Sequence, residues 1–90
     1  MTPQEAHTLQ EAHVHSRLNL TEVLASELCG CFYCGSLFKP AKIKEWVDAG
    51  QTAVCPRCGI DAVIGDDSGV SLSPEFLAKM EEYWFGELEL

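Results

Sequence analysis

Four of the chain's five cysteines fall into two short turns. Cys31 and Cys34 stand in "CGCFYCG", and Cys55 and Cys58 in "CPRCG", with 20 residues between the pairs. A two-residue gap lets both sulfurs of a pair reach one ion from a tight turn. The glycine after each pair, Gly35 and Gly59, can take a positive φ and lets backbone N–H groups approach the sulfurs. Two such turns supply four thiolates, a set suited to tetrahedral Zn²⁺, and the spacing is close to the C-x2-C-x15–20-C-x2-C zinc pattern. Two other chemistries use the same residues, a C-x-x-C redox pair and a rubredoxin-like iron site. Neither turn lies in a βαβ setting, which counts against redox work. Zinc and iron are not separated by the sequence. A site closed by four cysteines keeps no position for water, so its metal is structural and not catalytic. The fifth thiol, Cys29, either replaces Cys31 as a ligand or packs as a small buried hydrophobe.

The remaining candidates are less organised. His13 and His15, with His7 upstream, could form a second metal site or supply a general base. On a helix, residues two apart diverge, so surface or interface histidines is the plainer reading. Asp61, directly after the second turn, is either a catalytic carboxylate or a partner for the turn's backbone. A hydrolase or nuclease using His13 or His15 with Asp61 is the enzyme alternative. No phosphate loop, nucleophile elbow or H-E-x-x-H motif is present, and the reading leans away from an enzyme.

Charge narrows the partners. The chain of 90 residues has 6 Lys and Arg against 14 Asp and Glu, a net of −8. Residues 1–27 carry −3 and residues 61–90 carry −7, whereas residues 28–60 carry +2. That surplus comes from Lys39, Lys42, Lys44 and Arg57, the residues a nucleic-acid-binding zinc ribbon would use. Zinc with four thiolates would cancel it, and duplex binding asks for a strongly basic surface, so nucleic acid is disfavoured. The acidic "MEEYWFGELEL" end is a solvated face or a docking segment for a basic partner.

The elements that must position the cysteines follow from the punctuation. The expected fold is a small α+β domain, zinc-ribbon-like, with two zinc knuckles, a short β-hairpin and helices before, between and after them. An N-terminal helical segment covers 3–28: Thr2 caps a first helix with Pro3 at its first position, and Asn19 with Glu22 reads as a capping box for a second. The zinc module covers 29–65. Within it Pro40, Ile43, Trp46 and Val47 predict a helix ended by Gly50, while "TAV" and "DAVI" predict short strands. "DDSG" is a turn. Ser73 and Pro74 open a C-terminal helix over 74–85, on which Phe76, Leu77, Met80, Tyr83 and Trp84 form an apolar face; "GELEL" is a frayed tail. The apolar fraction, 47%, suits one globular domain over 1–90. No apolar run approaches the roughly 18 residues of a membrane span, and the polar N-terminus lacks a secretion signal. Both point to the cytoplasm, where thiols stay reduced and five cysteines, an odd number, are better explained by metal than by disulfides.

At "CGCFYC", "IKEWVDAG", "TAVCPRCGIDAVIG" and "PEFLAKMEEYWF" the chain resembles a family of short uncharacterised bacterial cytoplasmic proteins with a CFYC…CPxCGID pattern. "AHVHSRLNLTEVLASE" resembles that family's N-terminal segment, so the likeness runs from about residue 12 to 85. The resemblance implies a compact zinc-binding protein with Cys31, Cys34, Cys55 and Cys58 as ligands, and no substrate. Where the family has serine after "CGID", this chain has Ala62. The functional expectation is a small cytosolic zinc-binding protein with a structural four-cysteine site, a protein-interaction or regulatory module that contacts another protein or itself.

Overall fold

The computed structural model describes residues 2–86. Two helices of equal length open and close this part of the chain, and each begins as its sequence dictates. Helix α1 spans Pro3–Val14, with the Thr2 hydroxyl accepting the Glu5 N–H at 3.1 Å. Helix α3 spans Pro74–Phe85, with the Ser73 hydroxyl accepting the Phe76 N–H at 3.0 Å. In both, a proline fills a first-turn position whose N–H needs no partner. Leu9 and Ala12 of α1 and Leu77 and Met80 of α3 turn into the core. The Gln10 side-chain amide donates to the Tyr83 hydroxyl at 2.7 Å and ties the two helices together. Residues 87–90 of the expected tail lie outside the described residues.

The N-terminal segment is two helices. Helix α2 covers only Leu20–Leu24 and follows a reversal at Leu18, where φ is +51°. The capping box expected from Asn19 and Glu22 does not form, because Asn19 makes no side-chain bond to its own helix. Its amide is committed elsewhere. Nδ2 donates to the carbonyls of His15 at 2.9 Å and Val63 at 2.8 Å, and Oδ1 accepts the Ala53 N–H at 3.1 Å. Glu22 in turn faces His15.

Strands β1 (Cys29–Cys31), β2 (Leu37–Phe38) and β5 (Val63–Gly65) make an antiparallel sheet in the order β2-β1-β5. Cys29 lies opposite Phe38 on one side and Gly65 on the other. Strands β3 (Trp46–Val47) and β4 (Thr52–Ala53) form a separate hairpin. The two segments flanking the second cysteine pair are therefore strands, as their composition predicts, but they do not pair with one another. Each joins a different sheet, and Asn19 bridges the two: its Val63 and Ala53 partners lie on β5 and β4. The neighbouring chain runs beside β4 as well, with Leu18 N–H bonded to the Thr52 hydroxyl at 2.8 Å and Leu20 N–H to the Gln51 carbonyl at 3.0 Å.

The helix expected from Pro40 onward is absent. Pro40–Lys42 is a single 3₁₀ turn, after which the chain extends into β3. Trp46 and Val47, aromatic and β-branched, suit a strand at least as well as a helix face. Asp48, Ala49 and Gly50 then reverse the chain, with φ of +54°, +59° and +83°. The Asp48 carboxylate accepts the Thr52 hydroxyl at 2.8 Å and pins the turn. Gly50 thus closes a hairpin loop and not a helix.

Phe32, Val23, Val63, Ile64, Leu77 and Met80 are the large side chains at the centre of the core. The sheet and helices meet closely at two glycines. A Cβ on Gly30 would lie 3.1 Å from Leu77 Cδ1, so α3 packs directly on β1. One on Gly65 would overlap the Ser26 hydroxyl, so α2 and its exit pack on β5. The class is α+β, as expected. Among the described residues no helix is long and apolar enough to cross a membrane.

Candidate metal centre

The two cysteine turns repeat one backbone pattern. In the first, Gly35 N–H bonds to the Cys31 carbonyl at 2.9 Å and Cys31 N–H to the Ser36 carbonyl at 3.0 Å. In the second, Gly59 N–H bonds to the Cys55 carbonyl at 3.0 Å and Cys55 N–H to the Ile60 carbonyl at 2.9 Å. Gly35 and Gly59 have φ of +79° and +80°, the left-handed region in which glycine carries no penalty. The turns are brought face to face by the β1–β5 ladder, which sets Cys31 opposite Val63. One further bond extends it: Phe32 N–H, inside the first turn, donates to the Ala62 carbonyl at 3.0 Å, just past the second. Ala62 is buried and contributes its backbone at this point.

The result is a cluster of four sulfurs. One ligand atom from each of Cys31, Cys34, Cys55 and Cys58 lies within 4.8 Å of all the others. Across the two turns, Cys31 Sγ is 3.6 Å from Cys58 Sγ, and Cys34 Sγ is 3.7 Å from Cys55 Sγ. Sulfurs bound to zinc at about 2.3 Å in a tetrahedron stand about 3.8 Å apart, so the cluster matches a four-thiolate site. All five cysteines are free thiols. The set can hold a metal ion with every ligand position filled by protein.

Surroundings grade the four thiols. Cys31 and Cys55 are buried, Cys58 is half-buried and Cys34 is exposed. Burial pushes the Cys31 thiol up, against the opposing pull of backbone N–H groups, and burial raises Cys58 as well. Burial also opposes ionisation of Cys34, but the Ser36 hydroxyl, 3.3 Å from its sulfur, together with backbone and neighbouring-thiol bonds holds it down to about 7. Backbone N–H groups of Arg57 and Cys58 point at Cys55 Sγ from 3.4 and 3.5 Å. Metal binding removes the protons from such thiols.

Cys29 is outside the cluster. It sits fully buried on β1, two residues before Cys31, between Phe38 and Gly65. Of the two readings of this residue, the structure bears out packing.

The other candidates are dispersed. His13 lies over Trp84, ring centroids 4.1 Å apart, and beside Phe32 at 5.7 Å. His15 Nδ1 meets both Glu22 carboxylate oxygens, at 2.9 and 3.1 Å. The two histidines diverge as helix geometry requires. Asp61 is exposed and has no hydrogen bond or ion pair among the described residues, either with a histidine or with the turn's backbone. The structure therefore does not assemble His13 or His15 with Asp61. The four cations of the middle segment, by contrast, are gathered: Lys39, Lys42, Lys44 and Arg57 line one groove. Sequence reasoning overlooked Ser36, and it read Asn19 as a helix cap and missed its role as a bridge between the sheets. A hydroxyl two residues after a ligand cysteine was a usable signal for Ser36. The bridging role of Asn19 gave none, because its partners on the two sheets are 34 and 44 residues away.

No family model, curated protein or solved structure matches the chain in the three comparisons made.

Proposed function

We propose that the chain is a small cytoplasmic zinc module, zinc-ribbon-like, whose two knuckles hold one structural Zn²⁺ and whose surface binds another protein or a second copy. The observation that carries this reading is the four-sulfur cluster at tetrahedral spacing. With four cysteine ligands zinc has no open position for water, so its contribution is to the fold. The unfolded chain cannot gather these four residues, and the binding energy becomes folding energy. In a chain of 90 residues that contribution is large relative to what a small core supplies.

The binding role rests on what the surface offers. Val14, Leu18, Leu24, Tyr33 and Leu37 are large apolar side chains left exposed, Val14 at 70%. The dispersal of His13, His15 and Asp61 supports a binding module over an enzyme. Likeness to the short bacterial proteins with the CFYC…CPxCGID pattern belongs to the same proposal. Sedimentation velocity of the zinc-loaded protein over a wide concentration range, joined to affinity capture with Val14→Asp and Leu24→Asp controls, tests it. Self-association or specific capture that these variants abolish supports the reading. A monomer at every concentration with no variant-sensitive partner counts against it.

A further inference from the structure

We propose that the groove between residues 37–44 and the second cysteine turn is the docking site for a short acidic, leucine-bearing peptide segment of a partner protein. This rests on the binding-module reading and names the chemistry of its partner.

The charge distribution is the first observation. Lys39, Lys42, Lys44 and Arg57, four of the chain's 6 lysines and arginines, line a single cavity of about 390 Å³. The sequence alone does not gather them. The 3₁₀ turn at Pro40–Lys42 and the tight turn carrying Arg57 do so.

Absence of neutralisation is the second. The chain has 14 acidic residues, yet among the described residues none forms an ion pair with any of these four cations. The ion pairs there involve only His7, His15 and Lys79. Nor do the four side chains serve the thiolates: the sulfur partners are backbone N–H groups, the Ser36 hydroxyl and one another. A concentrated cationic patch on an acidic protein, left without internal partners, is complementary to an anion from outside.

The floor of the groove decides between anions. It is made by Leu37, Phe38 and Pro56, and Leu37 is 40% exposed. Proteins that hold single-stranded nucleic acid stack bases on exposed aromatic rings. The one ring here, Phe38, is buried. Among the described residues outside the groove, two cations face twelve acids, a surplus of ten negative charges. With screening over about 8 Å at physiological salt, a polyanion longer than the groove meets that surplus and is repelled. A short peptide that alternates carboxylates with leucines places charge on the lysines and arginine and apolar side chains on the floor, then ends.

The test uses full-length protein whose zinc content and far-UV circular dichroism have been checked on the same sample. Fluorescence anisotropy follows a labelled short peptide of alternating glutamate and leucine, at low and at physiological salt. A single-stranded oligonucleotide of equal charge is the comparison. Saturable peptide binding that weakens with salt is expected, with the oligonucleotide binding more weakly. The double reversal Lys42→Glu/Arg57→Glu lowers peptide affinity by roughly tenfold or more, whereas Lys79→Glu, on α3 and outside the groove, leaves it unchanged. The proposal is overturned if folded, zinc-loaded protein does not bind the peptide at low salt. Tighter binding of the oligonucleotide overturns it too, as does a double variant that loses zinc while keeping the peptide, since the cations would then be balancing the metal–thiolate charge. A sample without zinc would instead fail the underlying zinc-module reading before any peptide is added.

Discussion

Replacing Asn19 by alanine should cost more stability than any surface polar substitution in this chain. The side chain is 3% exposed and its amide makes three hydrogen bonds to backbone. Two of these, with the Val63 carbonyl and the Ala53 N–H, are buried and join the two sheets. In Asn19→Ala both groups lose their partner, and each orphaned buried group costs about 1–3 kcal/mol. The sum, about 2–6 kcal/mol, is a large share of the roughly 5–15 kcal/mol that holds a domain folded. Urea unfolding of the zinc-loaded protein, followed by circular dichroism, measures it. With a slope near 1 kcal/mol/M for a chain this small, the midpoint falls by about 2 M or more. Asn19→Asp is the informative companion. It keeps an acceptor for Ala53 N–H but turns a carboxylate on the His15 and Val63 carbonyls. It should therefore be at least as unstable at neutral pH and recover partly on acidification, when protonation restores a donor. A loss below about 0.5 kcal/mol for Asn19→Ala would refute the claim that this amide links the sheets.

Three further outcomes follow from the same geometry. Cys55→Ser should lose the metal and the cooperative unfolding transition, whereas Cys29→Ala should retain one metal per chain; elemental analysis of both separates a ligand from a packed thiol, and equal metal loss would contradict the assignment. Gly65→Ala places a Cβ against the Ser26 hydroxyl and 3.3 Å from Val23 Cα, so it should destabilise by about 1–3 kcal/mol in thermal or urea unfolding. The pH dependence of stability should carry the signature of Cys29. Burial, with the Asp66 charge adding, pushes its thiol up from 9.0 to about 11. A raised value means the native state holds this proton more tightly than the unfolded chain does. The associated stability is complete below pH 9 and is lost as pH rises toward 11. Urea midpoints across that window should fall in the parent protein and fall less in Cys29→Ala.

What could be read from the sequence was local. Thr2 with Pro3 and Ser73 with Pro74 mark the helix starts because a cap and a proline act on the adjacent turn alone. The paired cysteines with Gly35 and Gly59 mark the site because the ligand spacing and the positive φ lie within five residues. The errors came where a distant contact outweighed a local preference. Asn19 and Glu22 have capping-box spacing, yet the asparagine satisfies two sheet edges instead of its own helix. Trp46 and Val47 fit a helical period as well as a strand, and a reversal with three successive positive φ values settled the matter. Two of those positions, Asp48 and Ala49, have side chains, so the left-handed turn was hidden from residue type. The two strands flanking the second cysteine pair were visible as strands, but their partners were not: β5 pairs with β1 more than thirty residues away, and β4 pairs with β3, a segment whose spacing also fits a helix.

The central claim is that four cysteines grip one zinc ion and that the fold depends on it. Native mass spectrometry of protein purified without added metal, with elemental analysis of the same sample, is the direct test. The account predicts one zinc per chain, lost together with the native circular dichroism when a strong chelator is added. A metal-free chain with intact thiols that keeps its folded spectrum would contradict it.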